Sequence, residues 1–285
     1  MTMLNQLRTG ILLALLTGIL LWIGNYFGGP SGLLIALILS LAMNFGMYWF
    51  SHKLVLAMYR AKPLNKSQYP WLHQMVRELA DEAKLPMPAL YHVPSETPNA
   101  FATGRNPEHA VVAVTDGILH LLTREELRGV LAHELSHVKN RDMLVTTIAA
   151  TIAGVISYAA SMARWAAIFG GIGGRDNEGG GNMLSFIVLA IVAPLIAVIL
   201  QLAISRSREY LADASGAKLI KNGAPLSAAL QKLESSNKAY PMRFGSPATS
   251  SLFIVNPFRG AALAGLFSTH PSTSSRVERL KGMRF

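Results

Sequence analysis

The stretch Thr123–Asp142, TREELRGVLAHELSHVKNRD, decides how the rest of the chain is read, and at its centre stands His133-Glu134-Leu135-Ser136-His137. On an α-helix, residues four apart are turned by about 40° and raised by about 6 Å, so His133 and His137 leave one face and can share a metal ion. Glu134 lies beside them. This is the spacing of a zinc hydrolase helix, with two neutral imidazoles as ligands and a carboxylate that takes a proton from the metal-bound water. Thr123 followed by Glu126 reads as a capping box that starts the helix just before Arg124, and Leu127, Val130 and Leu131 continue its apolar face. Arg124, Glu125, Glu126, Arg128, Lys139, Arg141 and Asp142 keep this helix out of lipid. The bland alternative is a pair of surface or capping histidines.

Outside this helix the chain is strongly apolar: 51% of its 285 residues are hydrophobic and 15% charged, which directs the reading to membrane segments. Cysteine is absent, so disulfide scaffolds and thiolate zinc sites are excluded and His and carboxylate remain as zinc ligands. The net charge of +10 is scattered along the chain without a nucleic-acid motif. Basic residues beside membrane spans account for it, and no nucleic-acid partner is expected.

From Thr9 to Ser51 there is no charged side chain, and the run divides at Gly28-Gly29-Pro30-Ser31-Gly32 into two segments of membrane-spanning length. Residues 1–52 are therefore expected to form a transmembrane hairpin, with Trp22, Tyr26, Tyr48 and Trp49 toward the span ends. Arg8 before it and Lys53, Arg60, Lys62 and Lys66 after it place both its ends in the cytoplasm by the positive-inside rule.

Residues 53–142 read as a soluble domain with both helix and sheet. Tyr69–Leu85 has a helical period with Trp71, Leu72, Met75, Leu79 and Ala83 inward, and the runs Ala89–Val93, Ala100–Thr103 and Ala110–Thr115 read as strands. Residues 143–205 contain two further uncharged runs around the glycine-rich GGIGGRDNEGGGN, expected as a second hairpin. An even number of spans returns the chain to the side of the metal helix. There, in residues 206–285, Glu209 and Asp213 share a helix face, Glu209 as third ligand and Asp213 as acceptor of an imidazole N–H. A solvated acidic pair is the alternative. In the same part Leu226–Lys238 reads as a helix, and Ser275 with Glu278 as a second capping box.

PNAFATG (Pro98–Gly104), HELSHVKNRD (His133–Asp142), the inserted hydrophobic hairpin, SRSREYLADASGA (Ser205–Ala217) and STHPSTSSRVERL (Ser268–Leu280) occur in an order that resembles the HtpX family of bacterial membrane zinc metalloproteases, relatives of the CAAX prenyl proteases. The resemblance implies a mainly α membrane protein with an α+β zincin-like metalloprotease domain and about four transmembrane helices in two hairpins. It implies one zinc ion on His133, His137 and Glu209, Glu134 as general base, His270 as oxyanion stabiliser and Asn99 near the edge strand that binds substrate backbone. The implied protein is an endopeptidase of the gluzincin type. It is multi-pass in the bacterial inner membrane, with the protease domain and both termini cytoplasmic, and acts on unfolded or damaged membrane proteins in quality control under stress. The bilayer is an expected partner; the oligomeric state is left open. Two other readings compete: a catalytically silent zinc-binding membrane adaptor, and an intramembrane-cleaving protease, which calls for an apolar metal helix and a ligating Asp in a late span.

Overall fold

The computed structural model describes residues 2–144, 146–148, 206–242, 247–258 and 271–285. The first element, α1 (Thr2–Met58), is helical throughout except at Gly29, whose φ of 55° and ψ of −142° interrupt it just before Pro30. Only glycine adopts this backbone cheaply, and the following proline has no N–H to continue the ladder. The two halves fold back on one another: Asn44 Nδ2 donates to Thr17 Oγ1 across 2.8 Å, and Gly24 lies against Gly32 and Ala36. The expected hairpin thus turns at the expected Gly-Pro cluster. Within it Gly28–Met58 is long and apolar enough to cross a membrane, with a mean hydropathy of 1.9 over a window that is 11% buried. Among the described residues it is the one helix that meets this test, so the count of four spans is not established. The second hairpin lies outside the described residues, save for its first few. Of these, Ile148 is fully buried against Leu13, Leu20, Met43 and Met47, so the chain after the metal helix returns to the first hairpin.

The second apolar run reads as ending at Phe50, yet the helix continues to Met58. The reason is packing: Val55, Leu56 and Tyr59 are buried, and the rings of Tyr59, Phe101 and Phe253 meet at centroid separations of 4.9–5.8 Å. The hairpin base is therefore part of the core of the domain that follows.

That domain begins with β1 (Lys62–Pro63), a two-residue strand too short to read from sequence, and α2 (Pro70–Ala83). Val76 and Ala80 join Leu72, Leu79 and Ala83 on the buried face of α2, whereas Trp71 and Met75 are only half-buried. The strands β2 (Ala89–Val93), β3 (Ala100–Thr103) and β4 (Val111–Thr115) complete a sheet of order β1-β2-β4-β3, in which β2 and β4 are parallel and the other pairs antiparallel. A short helix, α3 (Asp116–Leu121), leads into α4 (Arg124–Asn140). Both bonds of the expected capping box form, Glu126 N–H to Thr123 Oγ1 and Thr123 N–H to Glu126 Oε2.

Among the described residues three further α-helices follow: α5 (Arg206–Leu219), α6 (Ala224–Ala239) and α7 (Thr273–Lys281). The last is capped by Ser272, which accepts from Ser275 N–H, and not by a box of Ser275 with Glu278. Helix α4 packs against β3 and against α2, α5 and α6, and nearly all of its central residues are buried. A helix enclosed in this way holds its side chains in fixed directions, which is what a metal site requires.

Candidate metal centre

Each part of the centre comes from a different element. From α4, His133 and Glu134 are almost fully buried and His137 is partly open to a pocket. From α5, Glu209 and Asp213 arrive one turn apart, both buried. The approach of the two helices depends on Gly216, where a Cβ would stand 2.9 Å from the backbone nitrogen of His133. Gly216→Ala should therefore push α5 outward, lower metal content and cost about 1–3 kcal/mol of stability, measured by thermal unfolding with metal analysis.

Three donor atoms converge. His133 Nε2 and His137 Nε2 are 3.1 Å apart, Glu209 Oε2 lies 3.8 Å from the first and Oε1 3.7 Å from the second, and one ligand atom from each residue lies within 4.8 Å of the others. Tetrahedral zinc with bonds of about 2.0–2.1 Å separates its ligands by about 3.3 Å, so a small inward shift of the Glu209 carboxylate completes such a site. The far side of each imidazole faces a carboxylate: Nδ1 of His133 stands 2.9 Å from Asp213, and Nδ1 of His137 is hydrogen-bonded to Asp142 at 3.1 Å. With its proton on Nδ1, each ring turns a lone pair inward.

The electrostatics favour a cation in the same place. Around the site stand the carboxylates of Glu134, Asp142, Glu209 and Asp213 and the guanidiniums of Arg208 and Arg276. With neutral imidazoles and all four carboxylates ionised this leaves two negative charges, which one divalent cation would balance. Burial pushes Glu134 up to about 8, with Glu209 adding to the shift against the pull of His137 and the Ala102 N–H. Burial disfavours a charged His137, but Asp142, Glu209 and Glu134 outweigh it and lift its pKa to about 10. Both shifts mean that the metal-free site retains protons, which an entering cation displaces. His133 is held below its ordinary value, chiefly by burial, and stays neutral.

Arg276, on α7, is a further residue of the centre, with no motif in the sequence to mark it. It is 2% exposed, and its Nε and Nη2 donate to the two oxygens of Asp213 at 2.8 and 2.7 Å. Its Nη1 donates to the Ile254 carbonyl at 2.8 Å. This fork opposes burial and draws Asp213 down to about 2, fixing it as the ionised acceptor beside His133. Arg276 could not be found by spacing, since its partner lies 63 residues away. Asp142, at the helix end, likewise carries no spacing signal that marks it as the partner of His137.

The segment carrying Ile254 lies against the free side of β3: Ile254 N–H reaches the Ala100 carbonyl at 3.4 Å, and residues 251–254 line the pocket with Ala102, Arg208 and the metal-centre residues. Asn99 is fully buried here. Its side chain donates to the Val255 carbonyl at 2.6 Å and accepts from Ala100 N–H at 3.1 Å, so it ties this segment to the edge strand. His270 lies outside the described residues.

The profile of "Peptidase family M48" matches residues 66–284. "Protease HtpX homolog" of Syntrophobacter fumaroxidans is 55% identical over 98% of this chain and 99% of its own length. The protein of the same name in Thermococcus kodakarensis is 52% identical over 96% and 94%. The crystal structure of S. mikatae Ste24p superposes with a TM-score of 0.53 at 20% identity, covering 98% of this chain. This chain spans 65% of the length of that one, and the likeness is one of fold.

Proposed function

Since the chain belongs to peptidase family M48 and is a membrane metalloprotease, we propose that it is a zinc endopeptidase of the gluzincin type, with His133, His137 and Glu209 as the ligands of one zinc per chain. The observation that carries this reading is the triangle of two Nε2 atoms and a carboxylate, with both Nδ1 atoms already facing Asp213 and Asp142.

A bound zinc would supply Lewis-acid polarisation of the scissile carbonyl and acidification of a water. Glu134, next to His133 and held by the Ala102 N–H, takes the proton from the attacking water and passes it to the leaving amine. Asp213 and Arg276 keep His133 in the ligating orientation. His270 donates to the oxyanion, a role that rests on the family resemblance.

The substrate is an extended strand that pairs with β3 near Ala102, where the edge faces the pocket. Asn99 contributes by fixing the segment that borders this edge. Backbone pairing selects for exposure more than for side chains, which suits unfolded or damaged membrane proteins. The flanking basic residues support a cytoplasmic protease domain and cytoplasmic termini, with the second hairpin spanning the membrane twice and the chain acting in inner-membrane quality control.

Chelation tests the metal. Detergent-purified protein incubated with 1,10-phenanthroline should lose cleavage of an unfolded protein substrate, and added zinc should restore it. Cleavage that is indifferent to the chelator overturns the reading.

A further inference from the structure

The exposed apolar face of α1 has a definite lower edge. Large exposed hydrophobic side chains run from Leu33 to Leu54, about 32 Å of helix at 1.5 Å per residue, close to the ~30 Å hydrocarbon thickness of a bilayer. Tyr48 and Trp49 lie in the last two turns of this belt, where interfacial aromatics are expected.

At this level the soluble domain contributes a cation of its own. Arg105, in the turn that follows β3, stacks 4.3 Å over the Trp49 ring, and its Nη2 lies 2.6 Å from His109 Nε2. His109 Nδ1 is engaged by Asn106 Oδ1 at 2.7 Å, so its Nε2 accepts from Arg105 and aims the guanidinium. Lys53, one turn beyond Trp49, is exposed, with its Nζ 5.3 Å over the Phe50 ring. His52 feels the charges of both Lys53 and Arg105, which places the two cations beside one side chain. The acid of the same turn, Glu108, is exposed.

We propose that Lys53 and Arg105 form a site for the phosphate of an anionic phospholipid at the edge of the hydrophobic belt. Charge complementarity and continuity with the lipid-facing surface select this occupant: a guanidinium fork held on an interfacial tryptophan matches a headgroup phosphate at that depth. Arg105 lies two residues past Thr103, the end of β3, so headgroup binding seats the proposed substrate edge against the membrane surface. The inference rests on the membrane location and is independent of the peptide-cleaving chemistry.

Thermal unfolding of the full chain in a neutral detergent, titrated with dioleoylphosphatidylglycerol, tests it. The unfolding midpoint should rise saturably, and equally in Glu134→Gln, which separates the lipid site from the catalytic reading. Lys53→Gln with Arg105→Gln should weaken the apparent affinity about 25-fold, about fivefold per cation. Because Arg105→Gln also removes the stack on Trp49, Lys53→Gln alone is read in parallel and should lose about fivefold. An undiminished response in Lys53→Gln and in the double variant overturns the proposal. So does an equal response to dioleoylphosphatidylcholine or to inorganic phosphate.

Discussion

Glu134→Gln should lower the turnover of an unfolded protein substrate by about 10³-fold while leaving zinc content unchanged, since a positioned general base contributes about 10²–10⁴. Gln keeps the size of the side chain and an oxygen that can accept from Ala102 N–H, so the helix and the pocket wall are retained. The variant loses the ability to carry a proton between water and the leaving amine. Stability should respond in the opposite direction. Burial and Glu209 raise the Glu134 pKa from 4.5 to about 8 in the metal-free fold, so ionising it opposes folding increasingly from about pH 4.5 up to about 8. Gln carries no such penalty. The metal-free variant should therefore lose less stability than the parent between those pH values, as read by thermal unfolding. Undiminished cleavage by a zinc-loaded variant would remove Glu134 from the mechanism.

The second large effect is expected at Arg276. Arg276→Met leaves Asp213 as a buried carboxylate without its bidentate partner, a change that costs about 3–5 kcal/mol. It also releases the group that orients His133, and losses of that kind weaken metal binding about 10–100-fold. Arg276→Lys retains the charge but not the planar fork, so it should recover only part of either loss. Adding Asp213→Asn to Arg276→Met removes the stranded charge. The double variant should be more stable than the single one, yet should still bind zinc weakly. A chelator-competition titration read beside the unfolding curves distinguishes positioning from bulk stability: wild-type zinc affinity in Arg276→Met would leave Arg276 a structural role alone.

The contrast between these two residues marks what the sequence makes legible. Glu134, His133 and His137 lie within one helix whose start is written in Thr123 and Glu126, and short-range geometry suffices to align them. Glu209 and Asp213 are also a local pattern, four apart on a helix, so the face they share is readable even though the helix they meet is distant. Arg276 carries no such signal, because its meaning depends on α7 packing beside α5. The same holds for the helix end at Met58: an uncharged run ends at Ser51, but the burial of Val55, Leu56 and Tyr59 against Phe101 and Phe253 is tertiary. In helix α2 the amphipathic period is legible, whereas its buried face is rotated toward Val76 and Ala80 by packing against α4. For Asn99 the sequence supplies a position beside the edge strand, whereas the use of its amide depends on a segment 156 residues further on.

The fork between Arg276 and Asp213 also sets a clock. The residue that completes the support of His133 is made 142 residues after Glu134, and at about 5–20 residues per second the ribosome needs roughly 7–30 seconds to add them. Until then the helix bearing His133 and His137 is without the buttress that fixes its ligating orientation. A nascent chain stalled before Thr273 should be inert toward its neighbours, so proteolytic capacity appears only once synthesis has passed the last part of the site.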